Sequence, residues 1–302
     1  MGLNLVVTGA GGFLGRAVVA EAKACGHHVR GLSRREVDLA ADDLRSVLAG
    51  ADCVIHLAAA LDGDWAVQER DTLTATRRLI AMMQAMAQPP RLVLASSIAV
   101  YSADPALEGQ TITEATRLEQ QPETRDSYAR AKLAQERIAR DSGLPLTILR
   151  PGAIMGPKRI WNPHLGPVMG PVLILMERAG ELPLVSRADC ARAFVRAAEG
   201  AGQGGIYNIL SEDRPDRARF VAALRRTGWP RVILPVSWRL LHPVARLLSP
   251  FGSGLPGLLR AAVLRARMMP VRYDISAARA ALGWQPQEDF DTALIRAGEA
   301  DI

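Results

Sequence analysis

The chain has 302 residues, of which 49% are hydrophobic and 23% charged, so it can form one large domain or two unequal lobes. Its net charge is +6, but aromatic residues make up only 5%, so we attribute the basic character to solvated helix faces and expect no nucleic-acid partner. The longest apolar run, residues 168–176, is interrupted by Gly170 and Pro171, and we expect no integral membrane segment. The three cysteines have neither metal-ligand nor disulfide spacing, and the first residues lack the basic region of a signal peptide. We therefore expect no metal site and a cytoplasmic location.

Strand patterns and helical patterns alternate through the first half of the chain. The predicted strands cover residues 3–8, 28–33, 53–60, 91–96 and 146–149. The predicted helices cover residues 16–24, 44–49, 72–87 and 127–141. Because strands that alternate with helices pair in parallel, we predict an α/β fold with a Rossmann-type doubly wound parallel sheet.

The pattern changes after residue 151, where proline and glycine become frequent. A helix at residues 188–199 and a strand at residues 205–210 are predicted to return to the main sheet. We assign the remainder to a smaller, mainly helical C-terminal substrate lobe. The predicted domains are residues 1–155 plus about 187–210 for the dinucleotide, and about 156–186 plus 211–302 for the substrate. The expected substrate loop contains four candidate contact residues, which surface exposure alone would also explain: Lys158, Arg159, Trp161 and His164.

Three glycines, Gly9, Gly12 and Gly15, follow the first strand and open the first helix. At such a turn one glycine makes the bend, one lets the backbone approach a pyrophosphate, and one lets helix pack on strand. The free N–H groups at the helix N-terminus then favour an anion. The spacing G-x-x-G-x-x-G in this context predicts a dinucleotide site rather than a plain glycine turn.

The end of the second predicted strand selects between the two nicotinamide cofactors. A carboxylate there binds the ribose hydroxyls of NAD, but this chain has Ser33, Arg34 and Arg35. Two guanidiniums suit a 2′-phosphate, so NADP(H) is favoured over NAD(H), although the arginines could simply face solvent. Asp38 is a candidate to accept from the adenine amino group, or to cap a turn.

Tyr128 and Lys132 are four residues apart in a predicted helix and therefore share a face. The ammonium is expected to lower the pKa of the phenol, which then exchanges the hydroxyl proton while hydride moves at carbon. Lys132 is also expected to hold the nicotinamide ribose. Ser97, at the end of a strand, is expected to hydrogen-bond the substrate oxygen. A surface tyrosine and lysine are the alternative, but the order of these motifs along the chain favours catalysis.

Together these motifs resemble the extended short-chain dehydrogenase/reductase superfamily, in its NAD-dependent epimerase/dehydratase-like branch. The resemblance covers nearly the whole chain, through residues 8–15, 56–59, 96–101, 128–132, 149–151, 189–191 and 281–286. It implies catalytic roles for Ser97, Tyr128 and Lys132, with the last two also contacting cofactor. The further cofactor-binding residues that we expect are Phe13, Leu14, Leu39, Leu57, Ala58, Ala59, Ser96, Pro151, Ala153 and Ile154.

The chain departs from the sugar-nucleotide members of that superfamily at two places. Dehydratases carry an Asp-Glu pair after the serine, where this chain has Ile98 and Ala99. Sugar-nucleotide enzymes commonly carry Asn two residues after the Arg-Pro proline, where this chain has Ala153. In these respects the chain is more similar to 3β-hydroxysteroid dehydrogenase and dihydroflavonol reductase relatives.

An apolar stretch near the C-terminus has three interpretations. It would suit a lid over an apolar substrate, a peripheral contact with a membrane surface, or an amphipathic helix packed on its own core. Its apolar residues are Trp238, Leu240, Leu241, Val244, Leu247, Leu248, Phe251 and Leu255.

Three hypotheses follow for the function. The first is an NADP(H)-dependent oxidoreductase that interconverts a secondary alcohol and a ketone on a small or apolar substrate. The second is a sugar-nucleotide 4-epimerase or 4-ketoreductase using NAD(P). The third is a non-catalytic nucleotide sensor or assembly subunit, which is ranked last because both Tyr128 and Lys132 are present. In each case the expected partner is a small molecule, and a homodimer is a candidate assembly.

Overall fold

The fold is given by a computed structural model, which describes residues 2–160, 164–248 and 257–299. In chain order its strands are β1 Asn4–Thr8, β2 His28–Leu32, β3 Cys53–His56, β4 Arg91–Ala95, β5 Thr111–Ile112, β6 Leu146–Pro151, β7 Ala153–Met155, β8 Val168–Met169, β9 Val172–Leu175, β10 Leu184–Ser186, β11 Ile206–Ile209, β12 Val232–Pro235 and β13 Arg272–Tyr273. Its α-helices are α1 Phe13–Ala24, α2 Arg45–Leu48, α3 Trp65–Gln68, α4 Ala75–Gln84, α5 Ser127–Arg140, α6 Arg187–Ala198, α7 Arg217–Arg225, α8 Trp238–Leu247, α9 Ala261–Met268, α10 Ser276–Leu282 and α11 Phe290–Glu299. Among the helices in these ranges, none combines the length and apolar character needed to cross a bilayer.

Within the described residues, six strands form one parallel sheet in the order β11-β6-β4-β3-β1-β2. β1 pairs with β2 on one side and with β3 on the other, so the strand order reverses at β1. In such sheets, ligands bind beyond the carboxyl ends of the strands at the point of reversal. This order confirms the predicted doubly wound sheet and directs attention to Thr8 and His56, the last residues of β1 and β3.

Helices cover both faces of the sheet, which explains why its central strands are apolar at nearly every position. Val7 and Ile55 pack in one buried cluster with residues of α1 and α6. Their chain neighbours Val6 and Val54 point to the opposite face and pack with residues of α4 and α5. Alternate side chains of one strand therefore contribute to two different cores.

Most predicted elements differ from the structure by one to three residues at an end, and two differ by more. The strand expected at residues 53–60 ends at His56, because the N–H groups of Ala58 and Ala60 bond to the hydroxyls of Thr8 and Thr72 instead of a neighbouring strand. The helix expected at residues 72–87 belongs to a longer helical run made of α3, a π-helical turn at Glu69–Thr74, and α4. Asp64 starts that run, since its carboxylate accepts the N–H of Val67 at 3.0 Å.

The C-terminal half forms further apolar clusters beside the main sheet. Strands β8, β9 and β12 form a small sheet, and the rings of Phe220 in α7 and Phe290 in α11 pack at 5.2 Å between centroids. Ile275, Leu282 and Trp284, however, pack in the same cluster as α1 and α6. Part of the segment 211–302 therefore lies against the Rossmann core, and the division into two lobes stays a prediction.

Candidate active site

A cavity of about 940 Å³ lies beyond the carboxyl ends of β1, β3 and β4. It extends from the glycine turn to α9 of the C-terminal half. Asp38 and Leu39 do not line it. The other predicted cofactor and catalytic residues do line it, namely Gly9, Gly12, Phe13, Leu14, Gly15, Ser33, Arg34, Arg35, Leu57, Ala58, Ala59, Ser96, Ser97, Tyr128, Lys132, Pro151, Ala153 and Ile154.

At two positions of the glycine turn, Gly15 and Gly9, a residue with a side chain would not fit. A Cβ on Gly15 would lie 2.1 Å from the carbonyl oxygen of Gly9, and Gly9 itself has a φ of +69° and lies against Ala58. The N–H of Gly12 donates to the carbonyl of Gly9 at 2.9 Å, which closes the turn. Helix α1 then begins at Phe13 with no side-chain cap, so its first N–H groups remain available to an anion. This cradle fits a dinucleotide pyrophosphate.

Sequence reasoning missed one member of the cradle, Gly11. It lines the cavity, and a Cβ there would lie 3.3 Å from the Cβ of Ser33 at the end of β2. Its carbonyl accepts the guanidinium of Arg16 at 2.7 Å. The signal was present in the motif, because Gly11 stands between the two glycines that were counted.

Acidic residues surround the cofactor-selecting arginines, and of these Glu36 follows Arg35 directly whereas Asp71 is distant in sequence. Glu36 folds back on Ser33 and accepts its N–H at 3.2 Å and its hydroxyl at 2.6 Å, and these bonds lower the pKa of Glu36. Arg34 forms an ion pair with Asp71. Arg70, on the same helical run as Asp71, also pairs with it.

Asp38 and Leu39 have structural roles outside the cavity. The carboxylate of Asp38 accepts the N–H of Ala40 at 3.0 Å and pairs with Arg70, so of its two interpretations the structure shows the turn cap. The side chain of Leu39 is 8% exposed and packs in the apolar cluster beneath α4. The adenine-binding role of Asp38 therefore has no support from its position, and neither has a cofactor contact from Leu39.

The reaction centre brings Ser97, Tyr128 and Lys132 to one wall of the cavity. Asp126 begins α5 by accepting the N–H of Ala129 at 2.9 Å, which places Tyr128 in the first turn and Lys132 one turn further. Ser97 acts to lower the pKa of Tyr128, so the two side chains are neighbours in this wall. The three side chains are thus brought together as the sequence predicted.

The charge states differ from the prediction in one respect. Burial raises the pKa of Tyr128, and the hydrogen bond from Ser97 offsets this only in part. The expected lowering by Lys132 is not seen, because the Lys132 Nζ lies 5.9 Å from the ring centroid of Tyr128 and is directed elsewhere. Burial also lowers the pKa of Lys132 itself to about 7, against the opposing effect of Glu136. Without ligand, the phenol is therefore protonated at neutral pH.

A buried polar chain connects Lys132 to the cofactor-binding loop. The Lys132 Nζ donates to the carbonyl of Ala95 at 2.8 Å and to Gln135 Oε1 at 2.9 Å. Gln135 Nε2 donates in turn to Thr76 Oγ1 at 2.9 Å. His56 Nε2 lies 2.9 Å from the same hydroxyl.

The chain continues through His56 to the nucleotide side. Since the Thr76 hydroxyl donates to the carbonyl of Thr72, it must accept from His56, which assigns the proton to Nε2. His56 Nδ1 then accepts from the Thr8 hydroxyl at 2.7 Å, and that hydroxyl accepts the N–H of Ala58. Burial, and then the charge of Lys132, lower the pKa of His56 to about 3, so it is neutral. Sequence reasoning missed this chain because its members are far apart in sequence.

A second buried network holds Tyr101 in place. Arg150 forms two 2.8 Å bonds with the carboxylate of Glu136, which also accepts the hydroxyl of Ser96. The Tyr101 hydroxyl accepts from Arg150 at 3.0 Å and donates to Asn208 at 2.6 Å. Burial raises the pKa of Tyr101. These contacts leave Tyr128, not Tyr101, as the candidate base.

The substrate end of the cavity combines an apolar wall with a cationic rim. The rim includes Arg267, whose guanidinium lies 3.3 Å from Asp126, and Arg159, which lies over the ring of Phe13 at 4.7 Å. Burial lowers the pKa of His164 to about 3, so this residue is neutral. Trp161 of the predicted loop lies outside the described residues. The apolar wall consists of Ile98, Ala99, Ile112, Val263, Ala266, Met269 and Val271.

A doubly wound sheet with this glycine cradle and a Ser-Tyr-Lys centre defines an NAD(P)-dependent enzyme of the extended short-chain dehydrogenase/reductase superfamily. The sequence profile of the NAD dependent epimerase/dehydratase family matches residues 5–209. The chain belongs to that family.

Solved structures with the same fold cover almost the whole chain. MoeE5 in complex with UDP-glucose and NAD is 21% identical, with a TM-score of 0.75 over 99% of this chain and 98% of that one. UDP-glucuronic acid 4-epimerase from Bacillus cereus, in complex with UDP-glucuronic acid and NAD, is 18% identical, with a TM-score of 0.73 and the same coverage. UDP-N-acetylglucosamine 4-epimerase from Bacillus cereus is 21% identical, with a TM-score of 0.72 over 99% of this chain and 100% of that one. No curated protein sequence matches the chain significantly.

Proposed function

We propose that the protein interconverts an alcohol and a ketone at carbon 4 of a sugar nucleotide, as an NAD(P)-dependent 4-epimerase or 4-ketoreductase. The observation that carries this proposal is that Ser97, Tyr128 and Lys132 line one cavity together with the glycine cradle. Similarity in fold to UDP-sugar-binding proteins over 99% of the chain supports this substrate class ahead of the small apolar ketone. That support is an analogy between folds, whereas the chemistry rests on the three side chains.

The three catalytic side chains have different roles in the proposed reaction. A nicotinamide ring, when bound, supplies or accepts the hydride at the substrate carbon. Tyr128 takes or returns the proton of the substrate hydroxyl, and Ser97 donates a hydrogen bond to the same oxygen as charge develops there. Lys132 uses two of its N–H groups on Ala95 and Gln135, which leaves one to favour the phenolate or hold a ribose hydroxyl.

The positions after Ser97 argue against a dehydratase. Elimination of water needs a second acid/base pair, and the superfamily carries it where this chain has Ile98 and Ala99. An epimerase or a ketoreductase needs no such pair, because both move one proton and one hydride at a single carbon. Tyr128, Ser97 and Lys132 therefore supply all the side chains that the proposed reactions need.

We propose NADP(H) as the cofactor. Ser33 stands where NAD-binding sites have a carboxylate, and Arg34 and Arg35 line the rim of the cavity beside it. Guanidiniums bond phosphate oxygens in pairs and with charge assistance. Arg34 would leave Asp71 to bind the 2′-phosphate. Arg35 forms no ion pair with a carboxylate among the described residues. Two of the fold relatives above, MoeE5 and UDP-glucuronic acid 4-epimerase, are in complex with NAD, so cofactor preference is tested separately from substrate.

One observation favours a second candidate function. The apolar wall formed by Ile112, Val263, Met269 and Val271 suits a small apolar ketone, which was the first hypothesis from the sequence. In that case the protein would be an NADP(H)-dependent ketone reductase that uses the same three catalytic side chains.

The test is to identify the cofactor of the purified protein and then follow its turnover. Cofactor released by acid is identified by mass spectrometry, and cofactor-free protein is titrated with NADPH and NADH in thermal unfolding. A ligand at 100 times its Kd adds about 2.7 kcal/mol to stability. Conversion of UDP-glucose, UDP-glucuronic acid or UDP-N-acetylglucosamine supports the proposal. NADPH oxidation with simple ketones, but no conversion of these UDP-sugars, supports the second candidate. Cofactor binding without turnover of any substrate would support the third hypothesis, a non-catalytic nucleotide sensor.

A further inference from the structure

Helix α8 exposes an apolar stripe to solvent. Leu240, Val244 and Leu247 are spaced by four and three residues and therefore share one face, where they are 73%, 48% and 78% exposed. The opposite face is packed, since Trp238 and Ala245 are only 4% and 1% exposed and lie in a cluster with residues of α9. One side of the helix is therefore packed against neighbouring residues, whereas the other side exposes leucine and valine to water.

The edge strand β12, which lies beside α8, exposes two further apolar side chains. Val232 and Leu234 are 45% and 48% exposed and lie on one face of their strand. Leu234 pairs with Ile174 of β9, and Ile174 packs against the cluster that contains Trp238. The exposed face of β12 therefore adjoins α8. We call these five exposed residues of α8 and β12 the docking face.

The charge of the surrounding segment is entirely of one sign. Residues 217–273 contain eleven arginines, no lysine and no aspartate or glutamate, whereas the rest of the chain is net negative. Arg231 precedes β12, Arg239 and Arg246 lie on one flank of α8, and all three are exposed. Arg239 pairs with Glu108 and Glu177, but in the described part of the chain no carboxylate pairs with Arg231 or Arg246. The docking face is therefore apolar at its centre and cationic at its border.

We propose that the docking face binds the surface of an anionic lipid bilayer. Apolar side chains at the centre would enter the boundary between headgroups and acyl chains, while the arginines at the border reach anionic headgroups. A second copy of the chain is a poorer occupant, because a symmetric contact would bring the same arginines against each other. Helix α8 packs on α9, which contributes Val263 and Arg267 to the substrate cavity, so docking would place the substrate side of the enzyme next to the lipid.

The experiment is flotation of the full chain with vesicles. Vesicles of phosphatidylcholine alone are compared with vesicles in which about one third of the lipid is phosphatidylglycerol. The apolar variant is Leu240→Ser with Leu247→Ser, and the charge variant is Arg231→Gln with Arg246→Gln. The matched controls are Ile295→Ser on α11, where the side chain is 61% exposed, and Arg137→Gln on α5, where it is 85% exposed. Thermal unfolding shows that each variant is folded.

We expect partition onto the anionic vesicles only, and release at 0.5 M salt. Each arginine contributes about a fivefold change in the partition coefficient, and each leucine contributes on the order of tenfold. The two controls should behave as the unaltered protein. Absence of binding to anionic vesicles at low salt would overturn the proposal. So would binding that is equal in all four variants, or a leucine variant whose only change is a lower molecular mass in solution, because the occupant would then be a second copy.

Discussion

The ammonium of Lys132 is held by the side-chain amide of Gln135, three residues further along α5, at 2.9 Å between Nζ and Oε1. The same amide donates to Thr76, which also bonds His56 at the end of β3. Through this one glutamine the proposed catalytic lysine is tied to the helical run and to the strand that border the cofactor cavity. Gln135 does not line the cavity, so we regard it as a positioning residue.

Replacing Gln135 with methionine tests that role. Gln135→Met keeps the volume but removes the acceptor, so the ammonium loses a charge-assisted bond and the pKa of Lys132 should fall below its value of about 7. Loss of such a bond corresponds to about tenfold or more in kcat. The measurement is the pH profile of kcat, in which the basic limb, set by loss of the Lys132 proton, should move to lower pH. Gln135→Glu, which restores an acceptor, should move it back, whereas Gln84→Met on the exposed side of α4 should leave it unchanged. A uniform loss of rate with an unshifted profile would mean that Gln135 is only structural.

The buried histidine His56 should make the protein sensitive to acid. Its pKa is lowered to about 3 in the folded chain, against 6.5 for a free histidine, so the unfolded state binds the proton more readily. The stabilisation is fully present above pH 6.5 and is lost as the pH falls toward 3. His56→Gln should therefore flatten the loss of unfolding free energy across this window. His28→Gln, at an exposed position of β2, is the control and should keep the full slope. Equal slopes in all three proteins would contradict a neutral, buried His56.

The glycine cradle predicts a graded response to alanine. In Gly15→Ala the new Cβ would lie 2.1 Å from the Gly9 carbonyl, so the turn must shift and both stability and cofactor affinity should fall, by several kcal/mol in stability. In Gly12→Ala the closest contact is 3.1 Å to the same carbonyl, and the effect should be smaller. Gly298→Ala on α11 meets no atom within 4 Å and serves as the control, which should be neutral or slightly stabilising. Chemical unfolding and cofactor titration give both quantities, and an unimpaired Gly15→Ala would remove the basis for the cradle.

The ion pair between Arg34 and Asp71 should tune cofactor preference. Asp71→Asn releases the guanidinium, so the ratio of NADH to NADPH dissociation constants should rise severalfold. Arg34→Gln removes the phosphate ligand and should lower that ratio by about tenfold. Isothermal titration measures both, with Arg45→Gln, an exposed arginine paired with Asp43, as the control. A protein that prefers NADH, and whose preference ignores both substitutions, would show that Arg34 faces solvent only.

Much of the fold and the catalytic centre could be predicted, because their signals are local in sequence. The glycine spacing, the strand periodicity and the four-residue separation of Tyr128 and Lys132 each report on neighbours along the chain. The bounds of β3 could not be predicted, because hydroxyls from Thr8 and Thr72 bind the backbone beyond His56. The charge of Tyr128 could not be predicted either, since burial depends on the whole fold.

The residues around the cofactor site could not be predicted either, because they are brought together only by the fold. Asp71, which pairs with Arg34, stands 37 positions further along the chain, on another element. His56 and Gln135, far apart in sequence, both bond the hydroxyl of Thr76 in α4. Contacts between residues this far apart cannot be read from a short stretch of sequence. They determine whether the Arg34 guanidinium is available to a phosphate and how the Lys132 ammonium is positioned.

The most direct test of the central claim is conversion of UDP-sugars by the unaltered protein and by Tyr128→Phe, followed by NMR at carbon 4. The phenylalanine keeps the ring but removes the hydroxyl that exchanges the proton, so the cofactor should still bind and stabilise the protein in thermal unfolding. We predict a 4-epimer or a 4-hydroxyl product from at least one of UDP-glucose, UDP-glucuronic acid, UDP-N-acetylglucosamine or their 4-keto forms. The rate should fall by at least about 100-fold in Tyr128→Phe. Equal rates in the two proteins, or no conversion of any of these substrates by protein saturated with cofactor, would contradict the account.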